Sequence, residues 1–196
     1  MAKLIYLVVT SLDGYIEDAA GSIVWSDPGE VLHTFVAELV RPIGVYLYGR
    51  RMYEAMKVWQ SLVLDWPPYM QEFARIWQNA DKVVYSRSLE HPDTPRTTVE
   101  REFDPEAVRR LKVSASRDIT IAGAELASHA IAAGLVDEYQ LIVAPVMVGG
   151  GKPCLPAGVQ VNLELLDERT FGTGAVYLRY QTRDRDPGVP NRSSAN

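Results

Sequence analysis

A single cysteine, Cys154, leaves this chain neither an intramolecular disulfide nor a Cys-rich zinc site, and fits a reducing compartment. Histidine is nearly as scarce. His33, His91 and His129 lie far apart, and nothing near them has metal-ligand spacing, so no metal is expected. No apolar run reaches the roughly 18 residues of a membrane-spanning helix, and the first strand-like run, LIYLVV, is too short for a secretory signal core. Positive charge is not in excess either: 20 Lys and Arg against 25 Asp and Glu give a formal net charge of −5. That balance withholds the field needed for nonspecific nucleic-acid binding, while permitting a local basic pocket. The zinc nucleobase deaminase signature is missing. Ser11, Ser61 and Ser128 occupy no strand-to-helix elbow of a serine hydrolase. A cytoplasmic protein is expected, with neither membrane nor nucleic acid as partner.

With 196 residues, 47% of them hydrophobic, the chain can build one sizeable core. Residues 4–9, GVYLY at 44–48 and KVVY at 82–85 read as buried strands, and helical patterns over 30–40, from about Arg50, and over 69–80 lie between them. Glu90 to Thr98 is excluded from a central strand because Pro92 and Pro95 lack ladder donors. A short helix over 105–111, a strand over 118–121 and a helix over 125–133, closed by Gly134, continue the alternation. Strand patterns at 138–148, 161–168 and 175–182 follow without a helix between them. The pattern predicts an α/β fold, with an antiparallel edge on a mainly parallel sheet. One domain over 1–182 is expected, with residues 183–196 a flexible tail rich in charge, Pro and Ser.

Gly49-Arg50-Arg51 ends a strand and opens a helix. Cations and free amides there suit a phosphate, or else the arginines cover the sheet edge and pair with carboxylates. Ser86-Arg87-Ser88 repeats the chemistry after the next strand, and parallel strands would bring both turns to the same side. In ITIAGAEL, Ala122-Gly123-Ala124-Glu125 allows a close approach at a helix start, either for a pyrophosphate or for tight helix–sheet packing. It is neither the three-glycine dinucleotide fingerprint nor a lysine P-loop. Three such strand ends together suggest a nucleotide cofactor with a pyrophosphate and a ribose 2′-phosphate.

Trp25-Ser26-Asp27-Pro28-Gly29-Glu30 precedes the first helix. Asp27 as N-cap, Pro28 at the first helical position and Glu30 in a capping box explain it structurally. Alternatively Glu30 is a carboxylate in an apolar cleft that anchors or protonates a heterocycle. Asp13 beside Gly14 reads as a turn former, Gly149-Gly150-Gly151 as a flexible turn, and Cys154 as a packed thiol.

SLDGYIE, YGRRMYE, VVYSRSL, IAGAEL and above all AGLVDEYQLIVAPVMVGGGKP resemble, from about Lys3 to Tyr180, the dihydrofolate reductase-like fold. The likeness is to the reductase domain of riboflavin biosynthesis and its stand-alone bacterial relatives. The resemblance implies a mixed eight-stranded sheet flanked by helices, NADPH as cofactor, and frequently a homodimer. By position it implies that Gly49, Arg50 and Arg51 face phosphate, with Ser86 and Arg87 beside the 2′-phosphate. Ala122, Gly123, Ala124 and Glu125 would flank the pyrophosphate, and Val9 and Ser11 would lie along the nicotinamide. Trp25, Asp27 and Glu30 fall on the substrate side, with Glu30 as the catalytic carboxylate. Two departures stand out: Ala122 where relatives have Gly, and Met52 where they carry Thr.

Overall fold

Buried runs and amphipathic segments alternate along the chain, and the computed structural model describes residues 1–26, 29–61 and 65–183 of it. In chain order the elements are β1 (Leu4–Ser11), β2 (Tyr15–Asp18), α1 (Gly29–Val40), β3 (Ile43–Gly49), α2 (Arg50–Met56), α3 (Pro68–Asn79) and β4 (Asp81–Tyr85). There follow β5 (Thr97–Glu100), α4 (Pro105–Ser114), β6 (Asp118–Ala122), α5 (Ala124–Ala132), β7 (Glu138–Ala144), β8 (Gly151–Pro153), β9 (Leu163–Thr170) and β10 (Val176–Thr182). Single 3-10 turns occupy Val24–Ser26 and Lys57–Gln60.

Eight strands form one sheet in the order β5-β4-β3-β6-β1-β7-β10-β9. The six from β5 to β7 run parallel, and β10 and β9 add the antiparallel edge. This is the mixed sheet expected from the sequence. Three strands were not foreseen: β5, the outermost parallel strand, and β2 with β8, which make a separate two-stranded ribbon. The strand expected over 138–148 stops at Ala144, because Pro145 has no N–H to give the ladder. All residues of the expected tail except Arg183 lie outside those described.

Strand alternation sorts the core onto two faces. Leu4, Tyr6, Leu47, Ile119 and Ile121 pack against Val108 of α4 and Leu126, Ala127, Ala130 and Ile131 of α5. Ile5, Tyr46, Tyr48 and Val84 face the other way, against Ala37 and Val40 of α1 and Phe73 and Trp77 of α3. Trp77 is fully buried and donates its indole N–H to the Tyr48 hydroxyl at 3.1 Å. Proline at the first position of α3 and α4, and the Asp104 carboxylate accepting from Glu106 N at 2.9 Å, fix where those helices begin.

Two charged groups are buried in this framework. Glu138 is 2% exposed. Burial alone would raise its pKa, but hydrogen bonds from Arg179, at 2.8 Å from Nε, and from Lys3 outweigh that and hold the carboxyl below its ordinary value. Lys82 is 1% exposed, and its ammonium lies 4.2 Å from the centre of the Trp77 ring with no hydrogen-bond partner among the described residues.

Candidate functional site

Parallel strands that share a direction release their loops on one side of the sheet, and β4, β3 and β6 are neighbours. Beyond their carboxyl ends lies a cleft of about 690 Å³, within the range of small-molecule sites. Gly49, Arg50 and Arg51 reach it from the end of β3, Ser86 and Arg87 from β4, and Gly123 and Glu125 from β6. Seven residues singled out in the sequence therefore meet around one space.

The turn after β4 is held rigidly. The Ser86 hydroxyl accepts from Leu89 N at 3.0 Å and Ser88 N at 3.3 Å, while Arg101 Nη1 donates to the carbonyls of Ser86 at 3.1 Å and Leu89 at 2.7 Å. Arg50 joins this turn to the next one by donating from Nη1 to the Ser88 hydroxyl at 2.8 Å. Arg50 also stands 3.7 Å from Glu54, and Arg87 3.3 Å from Glu102, with both partners of the latter pair largely exposed. Exposed pairs of this kind contribute at most about 1 kcal/mol, so an anionic ligand can displace them cheaply. Arg51 has no ion-paired or hydrogen-bonded partner among the described residues.

Gly123 precedes α5 with φ of +97°, a region that disfavours every residue with a side chain. A Cβ there would stand 3.7 Å from the Cβ of Met52, which also lines the cleft. The Ala122 methyl, by contrast, packs with the core on the α1 and α3 side, and Ala124 is buried. Neither is part of the cleft lining. The extra methyl that distinguishes this chain at Ala122 thus points away from the space a ligand would use.

The remaining predicted positions lie beside the cleft instead of in its lining. Val9 packs against the cluster containing Leu32 and Ile142. Ser11 is 1% exposed, and its hydroxyl is used locally, donating to Asp13 Oδ1 at 2.6 Å and accepting from Tyr15 N at 2.9 Å. The Asp13 carboxylate also accepts from Val148 N at 3.1 Å and Gly149 N at 2.7 Å, tying the turn after β1 to the glycine turn before β8. The hydrogen bond from Ser11 is the main cause that holds the Asp13 carboxyl below its usual value. Trp25 donates its indole N–H to Ser22 O at 3.1 Å. Glu30 is exposed in the first turn of α1, so the apolar surroundings expected for it are not found; Asp27 and Pro28 lie outside the described residues.

β1 has a further property that bears on the site. It pairs with β6 only from Leu4 to Tyr6, whereas residues 7–11 are paired on the β7 side alone. An open strand edge therefore runs beside the start of α5. Sequence reasoning missed Arg101, Glu102, Phe103, His129 and Lys152 in the lining. Arg101 follows the unpredicted β5, and Lys152 belongs to the unpredicted ribbon. The Phe103 ring stacks on His129 with centroids 5.9 Å apart and touches Tyr85 at 5.5 Å.

YyaP of Bacillus subtilis (strain 168), an uncharacterized protein, is 29% identical over 184 residues, covering 91% of this chain and 94% of its own. A pyrimidine reductase-like protein from Corynebacterium diphtheriae has a similar solved structure, with TM-score 0.67, 15% identity and 93% of each chain covered. Acinetobacter baumannii RibD superposes with TM-score 0.70 at 20% identity, over 93% of this chain and 58% of that one. No described helix is long and apolar enough to cross a membrane. The family model of the RibD C-terminal domain matches residues 2–177, and the chain, with its eight-stranded dihydrofolate reductase-like sheet, belongs to that family.

Proposed function

We propose that this protein is a cytoplasmic NADPH-dependent reductase acting on a C=N or C=O bond of a small heterocycle of the pterin, flavin or pyrimidinone type, or of a ribose-linked carbonyl. One observation carries the reading: three neighbouring strand ends deliver Arg50, Arg51, Ser86, Arg87 and the bare backbone of Gly123 to a single cleft. The residues suit such a cofactor. The cations would take its phosphates, and Arg50 and Arg87 flank the serine turn where a 2′-phosphate would be held by charge-assisted hydrogen bonds. Phe103 and His129 offer a ring-stacking wall, and the open side of β1 from Leu7 to Ser11 offers main-chain groups to a carboxamide.

When bound, NADPH supplies the hydride. The protein's share is to orient the two reactants and exclude water. Asp13 is committed to its turn, which leaves Glu30 as the carboxylate that gives the acceptor heteroatom a proton, directly or through water. The rival reading is a noncatalytic nucleotide- or flavin-binding module. Titration with NADPH, followed by absorbance at its nicotinamide band with pterins, flavins and pyrimidinones, separates the two. Saturable binding with consumption is expected; binding without consumption by any of them supports the module, and no binding removes both.

We further propose a homodimer, formed through the face of β7, β10 and β9 that points away from α1. Ile142 and Tyr177 are buried towards α1, so alternation turns Leu141, Val143, Val176, Leu178 and Leu165 to the opposite face. None of these five is buried. Residues 184–196, DRDPGVPNRSSAN, hold a single branched aliphatic side chain and are poorly suited to cover that face. An apolar face is complementary to itself, as an isologous contact requires. Leu178→Asp should convert a dimer to a monomer in sedimentation velocity while leaving its circular dichroism unchanged; a wild-type monomer refutes this.

A further inference from the structure

The half of the site beyond the phosphate cleft has a charge of its own, and this charge bears on the choice of substrate, a conclusion that rests on the reductase reading above. Moving along the sheet from β6, the next carboxyl ends are those of β1 and β7. Their loops are joined where Leu12 N donates to Val146 O at 2.7 Å, and the 3-10 turn at Val24–Ser26 lies against β1 just before α1 begins. Exposed apolar side chains collect on these segments: Leu12 is 65% exposed, Ile23 57%, Val24 83%, Val31 64% and Met147 70%. Cations are missing from them. Residues 4–40 contain no Lys or Arg and six carboxylates, Asp13, Glu17, Asp18, Asp27, Glu30 and Glu38, and residues 138–151 contain no Lys or Arg either.

The cations of the site are segregated on the other side, where Arg50, Arg51, Arg87, Arg101 and Lys152 line the cleft assigned to cofactor phosphates. A phosphorylated substrate would have to place its dianion among carboxylates or compete with the cofactor for those same arginines. Either choice costs binding energy that an uncharged ring avoids, and exposed Leu, Ile, Val and Met side chains favour a flat apolar surface. We infer that the substrate is an unphosphorylated, uncharged or cationic flat heterocycle, and that sugar phosphates of otherwise identical structure are discriminated against.

Riboflavin and its 5′-phosphate, FMN, differ only in the group at issue. Calorimetric titration of each into protein saturated with NADP+ should show riboflavin binding at least about tenfold more tightly, equivalent to about 1.4 kcal/mol. Val31→Lys, which places a cation on the exposed start of α1, should narrow that gap about threefold or more by improving FMN. Equal affinities, tighter FMN, no riboflavin binding, or a gap that Val31→Lys leaves unchanged would overturn the inference. Saturation by NADP+ is measured first on the same sample. Its failure would sink the reductase reading, whereas NADP+ binding with FMN preferred would sink only the substrate class.

Discussion

Replacing Arg50 and Arg87 together by Ala should weaken NADPH binding about a hundredfold and NADH binding less than about threefold. The two cofactors differ by one phosphate on the adenosine ribose, so the ratio isolates the contacts to that group. Arg50 already reaches the Ser88 hydroxyl at 2.8 Å, which puts its guanidinium at the turn where Ser86 and Arg87 stand. A charge-assisted hydrogen bond contributes about 1.5–3 kcal/mol, and two moderate ones give the expected factor when converted at about 1.4 kcal/mol per tenfold. Glu102 supplies a control of opposite sign. It sits 3.3 Å from Arg87 at the cleft, both side chains mostly in water, and competes with any incoming phosphate. Glu102→Gln should therefore tighten NADPH severalfold and leave NADH nearly unchanged. Fluorescence titration of each variant with both cofactors gives the ratios. An equal loss for NADPH and NADH in the double variant would mean that the arginines hold the pyrophosphate or only the fold.

That pair of arginines also marks how far the sequence could be read. Arg50, Arg87 and Gly123 were legible because each follows a continuous apolar run, and parallel strands must end on one side of a sheet. Gly123 was marked by its place between a strand and a helix, and its φ of +97° gives the physical reason for the residue. Arg101 was not legible. It acts by donating to carbonyls 12 and 15 residues earlier in the chain, a contact created by the pairing of β4 with β5, and β5 is four residues of half-exposed polar and apolar mixture. Lys152 was hidden for a related reason: its strand is three residues long, held only by β2, and three glycines before it carry no periodicity. Glu30 illustrates the opposite error. A motif placed it on the substrate side, but motif position says nothing about burial, and the side chain is exposed.

Lys82→Met should raise the stability of the protein by about 2–3 kcal/mol near neutral pH and remove a pH dependence that the wild type shows. Lys82 alternates with Val83 on β4 and points under α3, where it is 1% exposed and finds only the face of Trp77. Burial, helped by the nearby Arg96 charge, pushes its pKa down to about 8 from the ordinary 10.5. Since the folded-state value is the lower one, the unfolded chain binds more protons between these two pH values, and stability must rise with pH across that window. Below about pH 8 the ammonium is charged in both states, and the cost of burying it is borne in full. The depression corresponds to a penalty on the order of 3 kcal/mol, most of it, about 2 kcal/mol, relieved between about pH 7 and about pH 9.5. Methionine has nearly the same length and no charge, so it keeps the contact with Trp77 without the desolvation cost. Buried tyrosines work against the trend at higher pH. Burial raises Tyr85, Tyr139 and Tyr177 to about 12, so their ionisation in the unfolded chain lowers stability above about pH 10. They are common to both proteins and cancel in the difference. Urea unfolding of wild type and variant from about pH 7 to about pH 9.5 should therefore show curves that converge as pH rises. Parallel curves, or a variant less stable than wild type at neutral pH, would show that the ammonium is solvated or paired in solution and that its burial carries no penalty.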